Sequence, residues 1–430
     1  MLPGDRLLIL APHPDDETIG CGGVIQQAVT SSVPVKVVYL TNGDSNEWSF
    51  MLYERRPEVL PLQVERMGSI RRSEAIRAAA VLGLSPENLV FLGYPDFGTL
   101  NIWESHWGNQ APFRALLTRA TAVPYADAFR PGASYKGEEI LHDLTSIIED
   151  FRPTKICLPH PADQNPDHLA FYLFTRVALW DLRSTVQAEL FPYLTHYPAF
   201  PLPRGYFPQS PLRPPPELAE GLDWVQFPLT QAMVDRKLAA LREHRTQLAS
   251  SASYLLSFVR RNELFGDYPR VDLRGSASLA DAGQAAPLSS ASASTEMSES
   301  LRAMLVGLEL RTIRIDGEDL VVTLHYSRPL ARGVAASVYL FGYRKDRAFA
   351  TMPKLHIRIG ELGRDVLNQD RLIPGARVEV KRGARDTTIR VPLSLLGNPD
   401  KVLASARTYA GNVPLDRMSW RVLEVAGDSK

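Results

Sequence analysis

The sequence predicts an α/β chain in which a Rossmann-like parallel sheet is followed by an all-β sandwich. Three observations carry this. Short β-branched runs alternate with helix-length periodic segments through the first half of the chain, and those runs are apolar along both faces. Beyond residue 300, strand-like runs follow one another with no long helix between them. Strands buried on both faces belong to parallel sheets covered by helices, whereas successive short strands argue for packed antiparallel sheets.

Taken in order, strands are expected over 6–11, 35–41, 88–94, 155–159 and 190–196. Helices near 19–30, 64–83, 137–151 and 167–187 separate them, and one more follows over 230–249. In such a sheet, ligands bind beyond the carboxyl ends of the strands, so polar residues just after strands carry most weight. From Gly275 to Ser300 the composition collapses to Ala, Ser, Gly and scattered acids, and residues 274–300 read as a flexible linker. Residues 1–273 and 301–430 are then two domains, the second with strands at 320–326, 336–343, 355–359, 377–380, 387–391, 402–409 and 420–425. Its Tyr339, Phe341, Tyr343, Phe349, Tyr409 and Trp420 read as core or as a carbohydrate platform, and the domain is a candidate binder of glycan or of a protein partner.

Composition narrows the function classes. At 430 residues the chain exceeds one ordinary domain. Lys+Arg 48 balance Asp+Glu 48, which leaves no whole-chain field to hold nucleic acid. No apolar run reaches transmembrane length, and Leu7 to Leu10 leads straight into polar residues; with no leader visible, the cytoplasm is favoured. The two cysteines, Cys21 and Cys157, cannot build a Cys-rich zinc module, so any metal falls to His and carboxylate.

The chemistry concentrates in two clusters. His13-Pro14-Asp15-Asp16-Glu17 follows the first strand and runs into Gly20-Cys21-Gly22-Gly23, where backbone can approach a ligand closely. On its own, the first cluster also reads as a turn with Asp15 or Asp16 as helix N-cap. The second, His160-Pro161-Ala162-Asp163-Gln164-Asn165-Pro166-Asp167-His168, follows the fourth strand. Both lie at carboxyl ends of one sheet and can converge, giving His13, Asp16 and His168 as a His₂-carboxylate set with an open position for water, as in a catalytic zinc site. Asn165-Pro166 reads as N-cap and first helical residue, which puts His168 in a first turn where the helix dipole favours neutral imidazole.

These two motifs resemble the PIG-L (LmbE-like) family of zinc-dependent N-acetylglucosaminyl deacetylases, over roughly residues 4–270. The resemblance implies a deacetylase domain with His13, Asp16 and His168 holding Zn²⁺, or another divalent ion such as Fe²⁺, and Asp15 as general base. It also implies sugar contacts for Arg71, in Arg71-Arg72-Ser73-Glu74, and for Asp96, after the third strand. Asp44, after the second strand, and Asn165 join them as candidate substrate contacts. Many relatives carry His where Asn165 stands. His196, at the end of the fifth strand, resembles a His found in a subset of relatives and is a candidate second proton donor. The implied reaction removes the N-acetyl group from an N-acetylglucosaminyl moiety of a glycolipid, glycoside or glycan. Hydrolysis of another amide, or a catalytically weak sugar-binding protein, are the alternatives. An insert between Gly98 and Gly137 carries Trp103, Trp107, Phe113, Tyr125, Phe129 and Tyr135, of which one or two at most are expected to touch ligand.

Overall fold

The computed structural model describes residues 1–45, 60–274, 277–282, 304–330, 332–360, 363–411 and 413–425. The chain divides into two compact units: Met1–Pro215 with Leu222–Asp267, and Pro216–Gly221 with Tyr268–Lys430.

The first unit is built on β1 (Leu7–Ala11), β2 (Val35–Thr41), β3 (Leu89–Tyr94), β4 (Lys155–Pro159), β5 (Glu189–Tyr193), β6 (Asp223–Pro228) and β7 (Asn262–Asp267), in the order β3-β2-β1-β4-β5-β7-β6. β1 is buried at every position, as its Leu-Leu-Ile-Leu-Ala run requires of a central strand. β1 to β5 pair in parallel, with β1 between β2 and β4. The strand order therefore reverses between β1 and β4, and the crevice at such a switch point is where ligands bind. The expected all-parallel sheet needs one correction. β7 joins β5 antiparallel and β6 pairs antiparallel with β7. Neither strand carries an apolar run: β6 has no buried residue, and β7 opens with the buried polar pair Asn262 and Glu263.

The connecting helices are α1 (Asp16–Thr30), α2 (Pro61–Leu82), α3 (Thr99–Ser105), α4 (Gly137–Phe151) and α5 (Pro166–Asp181), followed by α6 (Gln231–Leu241) and α7 (Arg245–Leu256). The single helix expected over 230–249 is thus two, separated near His244, and α7 is kinked at Ser251. The glycines of α1 serve packing rather than ligand approach. A Cβ on Gly20 would lie 2.7 Å from the Tyr193 ring, and one on Gly23 2.2 Å from the Leu229 side chain. A buried ion pair grips the same helix in its middle: Lys237 Nζ donates to the Ile19 carbonyl (2.8 Å) and to Glu263 Oε1 (2.7 Å). Glu263 also accepts from the Gly23 N–H (2.7 Å) and the Val24 N–H (2.9 Å).

The second unit holds β8 (Val271–Asp272), β9 (Ser278–Ala282), β10 (Leu308–Asp316), β11 (Asp319–Tyr326), β12 (Val334–Tyr343), β13 (Lys354–Ile359), β14 (Arg364–Asn368), β15 (Arg371–Leu372), β16 (Glu379–Arg382), β17 (Asp386–Pro392), β18 (Lys401–Ala410) and β19 (Val413–Glu424). They form sheets ordered β16-β17-β11-β10-β9 and β15-β14-β13-β12-β18-β19-β8. One hydrophobic core draws on both, with Ile313, Val322 and Ile389 from the first sheet and Leu340, Ile357 and Val402 from the second. β9 lies inside the stretch expected to be linker and pairs antiparallel with β10. It is held by charge as well as by its one large apolar residue, Leu279: Asp281 receives Arg311 Nη2 at 2.8 Å and also pairs with Arg421. Residues 275, 276 and 283–300 of that stretch lie outside the described residues. Tyr339, Phe341, Tyr343, Phe349 and Trp420 are buried and Tyr409 is half-buried, so they offer no exposed carbohydrate platform. Among the described residues, no helix is long and apolar enough to cross a membrane.

Candidate active site

The switch point brings the two clusters together. Past β1, the chain turns at Pro14 and Asp15 and enters α1 at Asp16; past β4, it runs through Asp163 to the N-cap Asn165, whose side chain accepts the Asp167 N–H at 2.8 Å. The N-cap reading of Asn165 holds, and His168 occupies the first turn of α5. His13 Nδ1 lies 3.3 Å from Asp16 Oδ2, His168 Nε2 lies 3.1 Å from the same oxygen, and the two nitrogens are 3.3 Å apart. Zinc bonds of ~2.0–2.1 Å at tetrahedral angles separate donor atoms by about 3.3–3.4 Å. The triangle therefore fits such an ion. The other oxygen of the Asp16 carboxylate, Oδ1, is buried with no hydrogen-bond partner among the described residues, which fits a carboxylate that could serve a cation. His196 brings a further ring nitrogen within 4.8 Å of these donors.

Each imidazole is backed by carboxylates. His13 Nε2 lies 3.0 Å from Asp96 Oδ1 and 3.2 Å from Asp167 Oδ2. His168 Nδ1 lies 3.3 Å from Asp163 Oδ2 and from the Thr195 hydroxyl. Such outer partners fix ring orientation and raise ligand basicity. Burial alone would lower both histidines, but Asp96, Asp16 and Asp167 raise His13 well above its ordinary value, and Asp16 and Asp163 bring His168 to about 9. Burial likewise works against ionised Asp16 and Asp163, yet the imidazoles hold both below the usual carboxylate range. Four buried carboxylates around two imidazoles leave an excess of negative charge that a divalent cation would balance. Asp163 and Asp167 escaped the sequence reading; nothing but their place in the second cluster marks them.

Asp15 stands apart from this set. It holds the N-cap position without making a side-chain cap bond, so the N-cap reading of the first cluster fails for its side chain. Its φ is +133°, a conformation that costs ~1–3 kcal/mol for a non-glycine residue and marks a constrained site. The constraint is visible: its N–H donates to Glu17 Oε2 at 3.0 Å, while Glu17 Oε1 lies 3.0 Å from His244 Nε2 and accepts the Thr18 hydroxyl at 2.6 Å. Burial raises the Asp15 carboxyl to about 7, against the opposing pull of Arg71 and with help from Asp16.

Arg71 was expected on the sugar, but most of its guanidinium is spent on the protein. It donates to the Gly43 carbonyl (2.6 Å) and the Pro14 carbonyl (2.9 Å), and Nη2 lies 3.5 Å from Asp15 Oδ2. One turn later, Glu74 accepts the Thr246 N–H (3.0 Å) and hydroxyl (2.6 Å), pinning the start of α7. Asp44 bonds the Tyr125 and Ser45 hydroxyls, and burial together with Asp96 raises it to about 7. His196 donates its N–H to Asp163 Oδ2 (3.0 Å), and its Nδ1 lies 3.2 Å from the Tyr254 hydroxyl; burial and His168 lower it to about 4.

A cavity of about 290 Å³ opens above the triangle. His13, Asp15, Arg71, Asp96, Asn165 and His196 line it, together with Phe97 and a face of α7 that includes Gln247 and Ser251. Asp44 and the aromatic residues of the 98–137 insert do not; Trp103, Trp107, Tyr125 and Tyr135 are buried within the fold. Residues 8–179 match the family described as PIG-L: GlcNAc-PI de-N-acetylase.

This segment is a PIG-L domain.

A relative from Mycobacterium sp. (strain KMS), named 1D-myo-inositol 2-acetamido-2-deoxy-alpha-D-glucopyranoside deacetylase, is 26% identical over 264 residues, covering 58% of this chain and 76% of its own. One of the same name from Acidothermus cellulolyticus is 27% identical over 305 residues, covering 65% of this chain and 92% of its own. The solved structure of the A40926 pseudoaglycone deacetylase Dbv21 is 19% identical, covers 61% of this chain and 96% of its own, and superposes with a TM-score of 0.39. Both clusters, from His13 to Asp16 and from Asp163 to His168, fall inside the PIG-L domain.

Proposed function

We propose that the chain is a zinc-dependent hydrolase that removes the N-acetyl group from an N-acetylglucosaminyl moiety. The observation that carries this is the triangle of His13 Nδ1, Asp16 Oδ2 and His168 Nε2 below a cavity that also holds the unligated carboxylate of Asp15. His13, Asp16 and His168 are the residues that would hold Zn²⁺, with Fe²⁺ the alternative; when bound, the ion supplies Lewis-acid polarisation of the amide carbonyl and lowers the pKa of water toward 7. Asp15 takes a proton from the attacking water as the C–O bond forms, and returns it to the amide nitrogen as the C–N bond breaks. The second proton of the water stays with the products, which leave as acetate and the protonated amine, so the proton count balances. Arg71 holds the Asp15 loop in place, and Asp96 orients His13 while still facing the cavity. His196, on the cavity wall, donates a hydrogen bond to the charge that grows on the carbonyl oxygen.

The substrate class rests on the names of the relatives, whose amino sugars carry the same acetamide. The shared core of the two C-terminal sheets supports reading that unit as a sandwich appended to the deacetylase domain. The test is acetate release from N-acetylglucosaminides by zinc-loaded protein, set beside other small amides. A preparation that binds no zinc and releases no acetate would overturn the reading.

A further inference from the structure

We propose that Phe97 is the platform on which the substrate's pyranose ring stacks, a role that rests on the deacetylase reading. Phe97 lines the cavity and is 51% exposed, and its ring lies 6.4 Å from the His13 ring at 33°. An exposed aromatic of this size is held here against local preference. Phe97 has φ +57°, a left-handed conformation that a bulky side chain resists, while the glycine beside it, Gly98, has an ordinary φ of −111°. The backbone does not drift out of this conformation because Asp167 Oδ2 accepts the Phe97 N–H at 2.6 Å and Asp167 Oδ1 accepts the Thr99 N–H at 3.2 Å. Asp167 Oδ2 is also the oxygen 3.2 Å from His13 Nε2. One carboxylate thus fixes the aromatic ring relative to the donor triangle.

The rest of the cavity is complementary. Pyranose rings present C–H groups on their faces and hydroxyls around their edge, so one flat apolar wall with polar groups opposite suits them. Gln247 and Ser251 on α7, and Asn165, supply the polar side. The other aromatic ring on the wall, Tyr254, is already engaged, stacked on His196 at 5.6 Å with Arg204 over it at 4.9 Å. Among the described lining residues, Phe97 is the aromatic whose ring is open to a ligand.

The test compares Phe97→Ala, Phe97→Leu and Phe97→Trp in the full chain, using methyl N-acetylglucosaminide as substrate and the corresponding methyl glucosaminide as a non-reacting ligand. Phe97→Ala is expected to raise KM and the glucosaminide Kd about tenfold, the scale of one aromatic stack, with zinc content kept and the loss in KM rather than kcat. Phe97→Trp restores binding, and Phe97→Leu falls between. Unchanged KM and Kd in Phe97→Ala while the parent protein is active overturns the platform and leaves the deacetylase reading standing. Equal losses in the Ala and Trp variants, or loss of zinc in either, assign Phe97 to loop structure and overturn the platform as well. A parent protein that neither binds nor turns over any N-acetylated amino sugar overturns both.

Discussion

Replacing Asp163 by Asn keeps the outline of the side chain and removes its charge, and the neighbours define the cost. Oδ1 accepts the Asn165 N–H at 2.9 Å. Oδ2 faces the Thr195 N–H and hydroxyl, both at 3.2 Å, the His196 N–H at 3.0 Å and His168 Nδ1 at 3.3 Å. Both sides are lined with donors, and an amide has a single acceptor oxygen. The cheaper orientation turns the NH₂ toward Asn165 and strands that one donor, at about 1–3 kcal/mol of stability. Loss of the carboxylate behind a ligating imidazole weakens metal binding about 10–100-fold, or about 1.4–2.7 kcal/mol. Asp163→Asn is therefore expected to melt lower than the parent and to bind zinc one to two decades more weakly in a competitive chelator titration. Unchanged zinc affinity would refute the reasoning, because His168 would then not be held through Nδ1 at a metal centre.

Asp15→Asn is expected to keep its zinc while turnover drops about 10²–10⁴-fold, whereas Asp16→Ala and His168→Ala lose the ion; equal zinc loss in all three, measured by metal analysis, counts against the division of roles. In the metal-free protein, His168 titrates near 9 between Asp16 and Asp163, above its unfolded value of about 6.5. Its contribution to stability is full below pH ~6.5 and lost as pH rises through 9, so melting temperatures of chelated protein should fall across that window. Zinc-loaded protein, with the imidazole already neutral, should lack this fall. Lys237→Ala leaves Glu263 as an unpaired buried charge and should cost ~3–5 kcal/mol in denaturant melts. A loss below ~1 kcal/mol would mean that the Gly23 and Val24 N–H groups satisfy Glu263 by themselves.

Much of the first unit could be read from the chain. β1, β2, β3 and β4 lie within a residue of their expected bounds because fully apolar runs between helices have few other uses. His13, Asp16 and His168 converge as their strand-end positions suggested. What escaped prediction was the supporting shell. An acid in a turn, such as Asp163, looks the same in sequence whether it faces water or an imidazole. Arg71 shows a related limit: a long side chain can reach ligand or carbonyl, and the fold adds bonds to Gly43 and Pro14 while leaving the residue on the cavity wall. β7 and β9 were missed because buried charge, through Glu263 and Asp281, does there what apolar residues do elsewhere.

The single turn of α2 from Arg71 to Glu74 sets the gauge of the cavity. Its first residue ties down the loop that carries Asp15, and its last clasps the beginning of the facing helix. The breadth of the cavity is thus dictated partly by a helix turn whose Glu74 is buried and absent from its wall, and α7 cannot slide outward without surrendering the Thr246 anchor. Variants selected for bulkier substrates should accordingly accumulate beyond the bend at Ser251, where that tether no longer governs the wall.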